Sequence, residues 1–346
     1  MKLGFIVGRE NEICHNKELM KLTPDKYLVN KKLHIDVAIA MTVKLRYPYI
    51  NVDIIQPKEI SLERLKRNDL NFVVGYDYIN TVNDDPYIKK FEGERGNKII
   101  LDIYKNKDAK LFPSYEYMNF IWNKKKYLTK FLRANIPISP TLFISKTVSI
   151  PKLLAQIDLN NWDNFIIKPI GGTTSYGVGL FNFDKVINEP TLLFDYFTEN
   201  GELYDEFLVQ PLIKGFKKYG EIKSFWINGE FSYAVNTIDR GEDDYQVKEI
   251  IDKNVLNKCK EIGNQVIKKV PKMTVLNKKT DHVVIRIDMT CCLDNSPKSS
   301  LKYYLNEIEE GGIAGTYLDF KNVKYPMVEI LADSFVKKAQ ALINMS

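Results

Sequence analysis

Two short stretches place charged residues at alternate positions between apolar ones: Arg286-Ile-Asp288 and, after a Ser/Pro/Asn-rich connection, Glu307-Ile-Glu309. Successive side chains on a strand point to opposite faces, so each stretch projects its charges together. If the two strands, read at 282–289 and 301–308, pair as a hairpin, three carboxylates and a guanidinium converge on one face. Three carboxylates without a cation would repel and raise one another's pKa values. Hard oxygen donors at this density suit Mg²⁺, which commonly bridges phosphates. A solvent-facing strand balanced by nearby lysines is the plain alternative.

A second feature lies upstream. In Phe165-Ile-Ile-Lys-Pro-Ile-Gly-Gly-Thr-Thr-Ser-Tyr-Gly-Val-Gly179 a lysine ends a buried strand, and a loop rich in glycine and hydroxyls follows. Glycines let such a backbone approach an anion while its amides converge on it. No Gly-Lys-Ser/Thr closes the loop, so it is not a Walker A loop. An ordinary strand connection would have much the same composition. Taken together, a loop able to hold phosphates and carboxylates able to hold Mg²⁺ are the two halves of a nucleotide site.

The rest of the chain provides a frame for them. Nearly continuous apolar runs at 3–8, 52–55 and 70–76 suit a buried parallel sheet, with a helix over about 31–46. No GxGxxG follows the first run, which argues against a dinucleotide fold of the usual kind. Asn123 reads as the N-cap of a helix with Tyr127, Leu128, Phe131 and Leu132 as its apolar stripe. Ile136-Pro-Ile-Ser-Pro140 is an extended linker. Strands are expected at 141–145, 164–170, 178–182 and 206–213. Asn228-Gly229 between alternating runs is a hairpin signal joining 221–227 to 230–236. A polar loop over 238–248, a helix over 252–269, a glycine-bearing loop through Gly311, Gly312 and Gly315, and a final helix from about Pro326 complete the reading.

Composition sets outer limits. The 346 residues are 45% hydrophobic and 27% charged, enough for two or three domains with real cores. No stretch is long and apolar enough to span a bilayer, and the first residues lack a signal peptide's length and cleavage site, so the cytoplasm is the expected location. A net charge of +6 comes from scattered lysines in a sequence rich in Lys, Asn, Ile and Tyr, with no basic face, so a nucleic-acid partner is not expected. The four cysteines show neither zinc nor disulfide spacing. His15, His34 and His282 show no ligand spacing and are read as structural.

In motif order the chain resembles the ATP-grasp superfamily, and within it the D-alanine–D-alanine ligase and glutathione synthetase type of carboxylate–amine ligase. The resemblance runs from about residue 120 to 316. It implies an α/β (α+β) fold: an N-terminal α/β layer over 1–120, a central lobe with the phosphate loop over 121–212, and a C-terminal lobe with the metal site over 213–346, the two lobes sandwiching ATP. Residue by residue, it implies that Lys168 contacts the α-phosphate and adenine, and that Thr174 and Ser175 cover the β- and γ-phosphates. Gln210 and the backbone of Pro211 and Ile213 would read the adenine edge. Glu221 would take the ribose, with Lys223 and Lys248 facing phosphate and Lys126 matching the family's earlier lysine. Asp288, Glu307 and Glu309 would hold one or two Mg²⁺, and Arg286 would be catalytic. Two positions depart from the family pattern: Glu309 stands where Asn is usual, and Gln210 where Glu is usual.

The resemblance therefore implies an ATP-dependent ligase that joins a small-molecule acid to an amine through an acylphosphate, releasing ADP and phosphate. Two rivals stay open: a kinase of the same fold acting on a small polyol or its phosphate, and a nucleotide-binding scaffold without activity. The substrates' identities and the oligomeric state, a homo-oligomer included, also stay open.

Overall fold

The computed structural model describes residues 1–8, 12–75, 94–171, 177–213, 215–239, 245–292, 302–310, 316–317 and 325–343. Strands β1 (Lys2–Ile6), β2 (Asn51–Ile55), β3 (Leu70–Val73) and β4 (Leu111–Phe112) form a parallel sheet in the order β2-β1-β3-β4. Their apolar runs are continuous because both faces are covered. Leu3, Phe5 and Phe72 pack toward the helix Ile35–Arg46, while Ile6, Ile55 and Val73 pack with Leu65, Tyr104 and Met118 on the other side. The helix Met327–Ile343, which closes the described chain, returns to this sheet. Its Phe335 ring lies 4.7 Å from Phe72 and 6.2 Å from Phe5.

The second sheet has the order β5-β8-β6-β7, from β5 (Leu142–Ser145), β6 (Asn164–Pro169), β7 (Gly179–Asn182) and β8 (Glu206–Pro211). It is antiparallel, and alternation divides its residues cleanly. Phe165, Ile167, Phe207 and Val209 join a separate core with Leu153 and Ile157 of the helix Ile150–Leu159 and Leu193 of the helix Thr191–Gly201. Ile166, Lys168 and Gln210 are left for the opposite face.

The third sheet is antiparallel, in the order β11-β10-β9-β14-β15. Its strands are β9 (Glu221–Ile227), β10 (Glu230–Asp239), β11 (Tyr245–Glu249), β14 (Val284–Cys292) and β15 (Lys302–Glu310); β12 (Met273–Val275) and β13 (Lys278–Thr280) form a small hairpin apart. Asn228 and Gly229, at φ 52° and 83°, make the expected two-residue turn between β9 and β10. The helix Lys253–Lys269 covers one face. Gly263 lets it seat on Trp226, since a Cβ there would stand 2.0 Å from the indole ring. The other face carries the charges.

Two departures from the sequence reading bear on the site. The polar stretch expected to be a loop at 238–248 is partly strand, because β10 runs on to Asp239 and Tyr245–Glu249 pairs with it as an edge. An edge strand needs little apolar content, and only Val247 of β11 is buried. The second difference is a β-bulge. Asp288 pairs with Glu307, but Met289 pairs with Leu305, so Asn306 is an extra residue on β15. The Pro-rich linker binds at the same point: Leu305 donates to Pro137 O at 2.7 Å and accepts from Ser139 N at 3.2 Å.

Candidate active site

A cleft of about 320 Å³ separates the second and third sheets. Ile166, Lys168, Val178, Gln210, Pro211, Leu212 and Ile213 line it from one side. Glu221, Thr290 and Asn306 to Glu309 line it from the other. Its volume falls at the lower end for small-molecule sites.

Lys223 and Arg286 organise the far wall. Lys223 Nζ lies 2.5 Å from Glu221 Oε2 and 3.0 Å from Asp288 Oδ2. Arg286 grips Asp288 in bidentate fashion, Nε to Oδ1 at 2.8 Å and a terminal nitrogen to Oδ2 at 2.7 Å, and reaches Glu309 at 2.8 Å. Asp288 is fully buried. Burial pushes its carboxyl up, but Arg286 and Lys223 outweigh this and hold it below the ordinary range. Burial likewise raises Glu307, and Lys124 and Lys168 together bring it below its usual value. Lys124 Nζ is 3.9 Å from Glu307 Oε2.

Glu309 behaves differently. Burial pushes it up to about 7 against the pull of Arg286, with Asp288 and Glu307 adding to the rise, although 34% of its side chain still meets solvent. It is therefore the carboxylate of the three least committed to its negative charge.

Asp288, Glu307 and Glu309 each offer an oxygen within 4.8 Å of the others. Three hard donors at this spacing, one buried and two half-buried, fit a divalent cation such as Mg²⁺. Lys168, buried at the end of β6, faces them from across the cleft, and burial lowers its pKa against the attraction of Glu307. Its Nζ is 3.4 Å from Asn306 Oδ1. Gln210, 1% exposed, donates from Nε2 to Thr141 Oγ1 at 2.8 Å.

Of the residues singled out in the sequence, Lys168, Gln210, Pro211, Ile213, Glu221, Lys223, Arg286, Asp288, Glu307 and Glu309 thus share one cleft or its charged wall. Thr174 and Ser175 lie outside the described residues. Lys126 and Lys248 are not brought to the cleft. Lys126 is exposed, its Nζ 3.4 Å from Asn119 Oδ1. Lys248 sits opposite Asn236 on β11, one residue out of phase with Val247 and Glu249, so it faces away from Lys223 into a second cavity beside Cys291 and Tyr303.

Lys124, Asn306 and Thr290 are among the cleft residues that the sequence reading did not single out. Lys124 had a signal: it stands three residues before Tyr127 and four before Leu128, hence on the buried stripe of its helix, where Lys126 is not. Asn306 had none, because alternation alone places it on the core face and only the bulge turns it to the cleft. Thr290 follows the alternation of Arg286 and Asp288, and among the described residues its buried hydroxyl has no hydrogen-bond partner.

No family model matches this sequence, and no curated protein matches it. Solved structures do. D-cycloserine synthetase DcsG superposes with a TM-score of 0.63 at 10% identity, covering 98% of this chain and 100% of that one. The D-alanine--D-alanine ligase from Bacillus anthracis complexed with ATP gives 0.61 at 12% identity, over 99% and 98%. The ATP-grasp ligase PsnB complexed with minimal precursor gives 0.60 at 11% identity, over 97% and 98%. The chain has the ATP-grasp fold along essentially its whole length, as the resemblance implied.

Proposed function

We propose that this protein is an ATP-dependent ligase that activates a small-molecule carboxylate as an acylphosphate and transfers the acyl group to an amine. The observation that carries the reading is the opposition of Lys168 to the Lys223–Asp288–Arg286–Glu309 network across one cleft in an ATP-grasp fold. The solved structures it resembles include ligases, which favours ligation over phosphorylation of a polyol. We read the chain as three units, 1–120, 121–212 and 213–346, with the cleft between the second and third.

The nucleotide lies with its base against Gln210 to Ile213, its sugar near Glu221, and its phosphates toward Lys168, Lys223 and Arg286. Asp288, Glu307 and Glu309 would hold Mg²⁺, which neutralises phosphate charge when bound. An oxygen of the acid attacks the γ-phosphorus, the bond to the bridging oxygen breaks, and ADP leaves. The amine then attacks the acyl carbon, phosphate departs, and the amine gives up a proton. Arg286, already fixed by two carboxylates, presents its charge without reorganising, which is the useful property in a stabiliser of developing negative charge.

The test is release of ADP and free phosphate from Mg-ATP across a panel of amino acids, dipeptides and small polyols, beside Arg286→Ala and Glu307→Ala. Free phosphate that requires both an acid and an amine and vanishes in the variants supports the ligase. A phosphorylated polyol without free phosphate overturns it in favour of the kinase. Mg-ATP binding with no turnover on any panel member favours the scaffold.

A further inference from the structure

Asn306 is the extra residue of the β14–β15 bulge, and it sits where the two walls of the cleft meet. Its Nδ2 donates to Glu221 Oε1 at 2.6 Å, and its Oδ1 faces Lys168 Nζ at 3.4 Å. A carboxylate on one side and an ammonium on the other leave the amide one favourable orientation. Glu221 is consequently held at both oxygens, Oε1 by Asn306 and Oε2 by Lys223 at 2.5 Å. A carboxylate has about four acceptor positions, so roughly two remain, on a group that can no longer rotate.

The position of that carboxylate matters. Glu221 begins β9, eight residues after Ile213 and two before Lys223, which bonds Asp288. Gln210 to Ile213 and the carboxylates Glu307 and Glu309 line the same cleft as Glu221. A nucleotide with its base at Gln210 to Ile213 and its phosphates toward Lys168, Lys223 and Arg286 therefore lays its sugar over Glu221. Two adjacent sugar hydroxyls are donors that match the two remaining acceptor positions. A freely rotating carboxylate would lose entropy on making both bonds, and one already clamped would not.

We infer that Asn306 is a positioning residue, which clamps the Glu221 carboxylate against the sugar hydroxyls and makes the cleft selective for ribonucleotides over deoxyribonucleotides. This rests on the nucleotide reading of the cleft given above. Asn306 acts through Glu221 and does not itself touch the reacting atoms. The bulge is what permits it: on a regular strand residue 306 would turn into the core beside Met289, and Glu221 Oε1 would lose its donor.

The test is calorimetric binding of Mg-ADP, 2′-deoxy-ADP and 3′-deoxy-ADP to the full chain, which avoids turnover. Wild type, Asn306→Leu, Asn306→Ser, Glu221→Gln and the Asn306→Leu/Glu221→Gln pair are compared. Wild type is expected to favour ADP over at least one deoxy form by roughly ten- to a hundredfold, the range for a hydrogen bond to a charged group. Asn306→Leu and Asn306→Ser should each cut that preference by about five- to tenfold, and Asn306→Leu should cut it no further once Glu221 is Gln. Loss of affinity that is equal for all three nucleotides would mean a merely structural role and overturn the proposal. So would wild type binding all three alike, or preference losses that multiply in the double variant. If wild type binds none of the nucleotides, the cleft is not a nucleotide site and both readings fall together.

Discussion

The second sheet's wall of the cleft carries one buried cation, Lys168, among Ile166, Pro169, Val178 and Pro211. The facing wall carries Lys223, Arg286, Asp288, Glu307 and Glu309 on three strands, tied to one another at 2.7 to 3.0 Å where they pair most closely. The supports differ as well. The first wall is backed by a self-contained core of its own sheet and helices. The second is backed by the largest core, continuous through Trp226, Ile287 and Leu331 to the first sheet. The charged wall is thus braced by most of the protein.

The largest expected effect comes from breaking the braced wall. Arg286→Ala leaves Glu309 without its cation and Asp288 with Lys223 alone, so turnover should fall about 10²- to 10³-fold. Removing one member of a buried pair should also destabilise the fold by about 3–5 kcal/mol. ADP release and urea unfolding read the two losses separately. If turnover falls and stability does not, the pairs are less committed to the fold than their distances imply.

Next is a test of the core behind that wall. His282 is 3% exposed, its Nε2 has no partner among the described residues, and its ring stacks on Tyr117. Burial drops its pKa from 6.5 to about 4. The folded state therefore binds the proton less readily than the unfolded one. Its contribution is complete above pH 6.5 and is lost as pH falls through that value toward 4, by about 3 kcal/mol in all. Urea midpoints from pH 7 to pH 4 should fall for the wild type and more shallowly for His282→Gln. Parallel curves would show that other groups govern the acid limb.

A smaller effect is expected on the other wall. Lys168→Met removes a cation whose only described hydrogen bond is the 3.4 Å contact with Asn306. Mg-ADP affinity should drop roughly ten- to a hundredfold with little change in stability. A large loss of stability would mean that Lys168 serves the structure as much as the ligand.

The smallest effects separate neighbours in sequence. Lys124→Ala should weaken Mg-ADP binding several-fold, on the order of a single charge-assisted contact. Lys126→Ala and Lys248→Ala should leave it within about twofold, as surface changes generally do. A stronger effect at Lys248 than at Lys124 would require β11 to turn its other face to the nucleotide.

Much of this was legible in advance, for identifiable reasons. Apolar runs at β1 to β3 announced a buried parallel sheet, and Asn228-Gly229 announced a hairpin because few residues adopt its left-handed φ values at low cost. Alternation placed Arg286 with Asp288 and Glu307 with Glu309. The helix period carried the signal for Lys124, although a run of three lysines with a family parallel pointed to Lys126. At Lys248 likewise, motif similarity along the chain did not track the face of the strand. The polar edge β11 was illegible because its stability comes from pairing with β10 and not from its own composition.

What the sequence determined by itself is local: which segments are strands or helices, and which charges share a face within each segment. Those depend on periodicity, and a period is a property of a short stretch. The tertiary structure decided which faces meet. It set Lys168 opposite the carboxylates, returned the last helix to the first sheet, and turned Asn306 into the cleft through a bulge pinned by the Pro137–Ser139 linker. These outcomes depend on pairing register and on contacts between residues far apart in the chain, such as Pro137 with Leu305 and Phe5 with Phe335, and no local pattern encodes them.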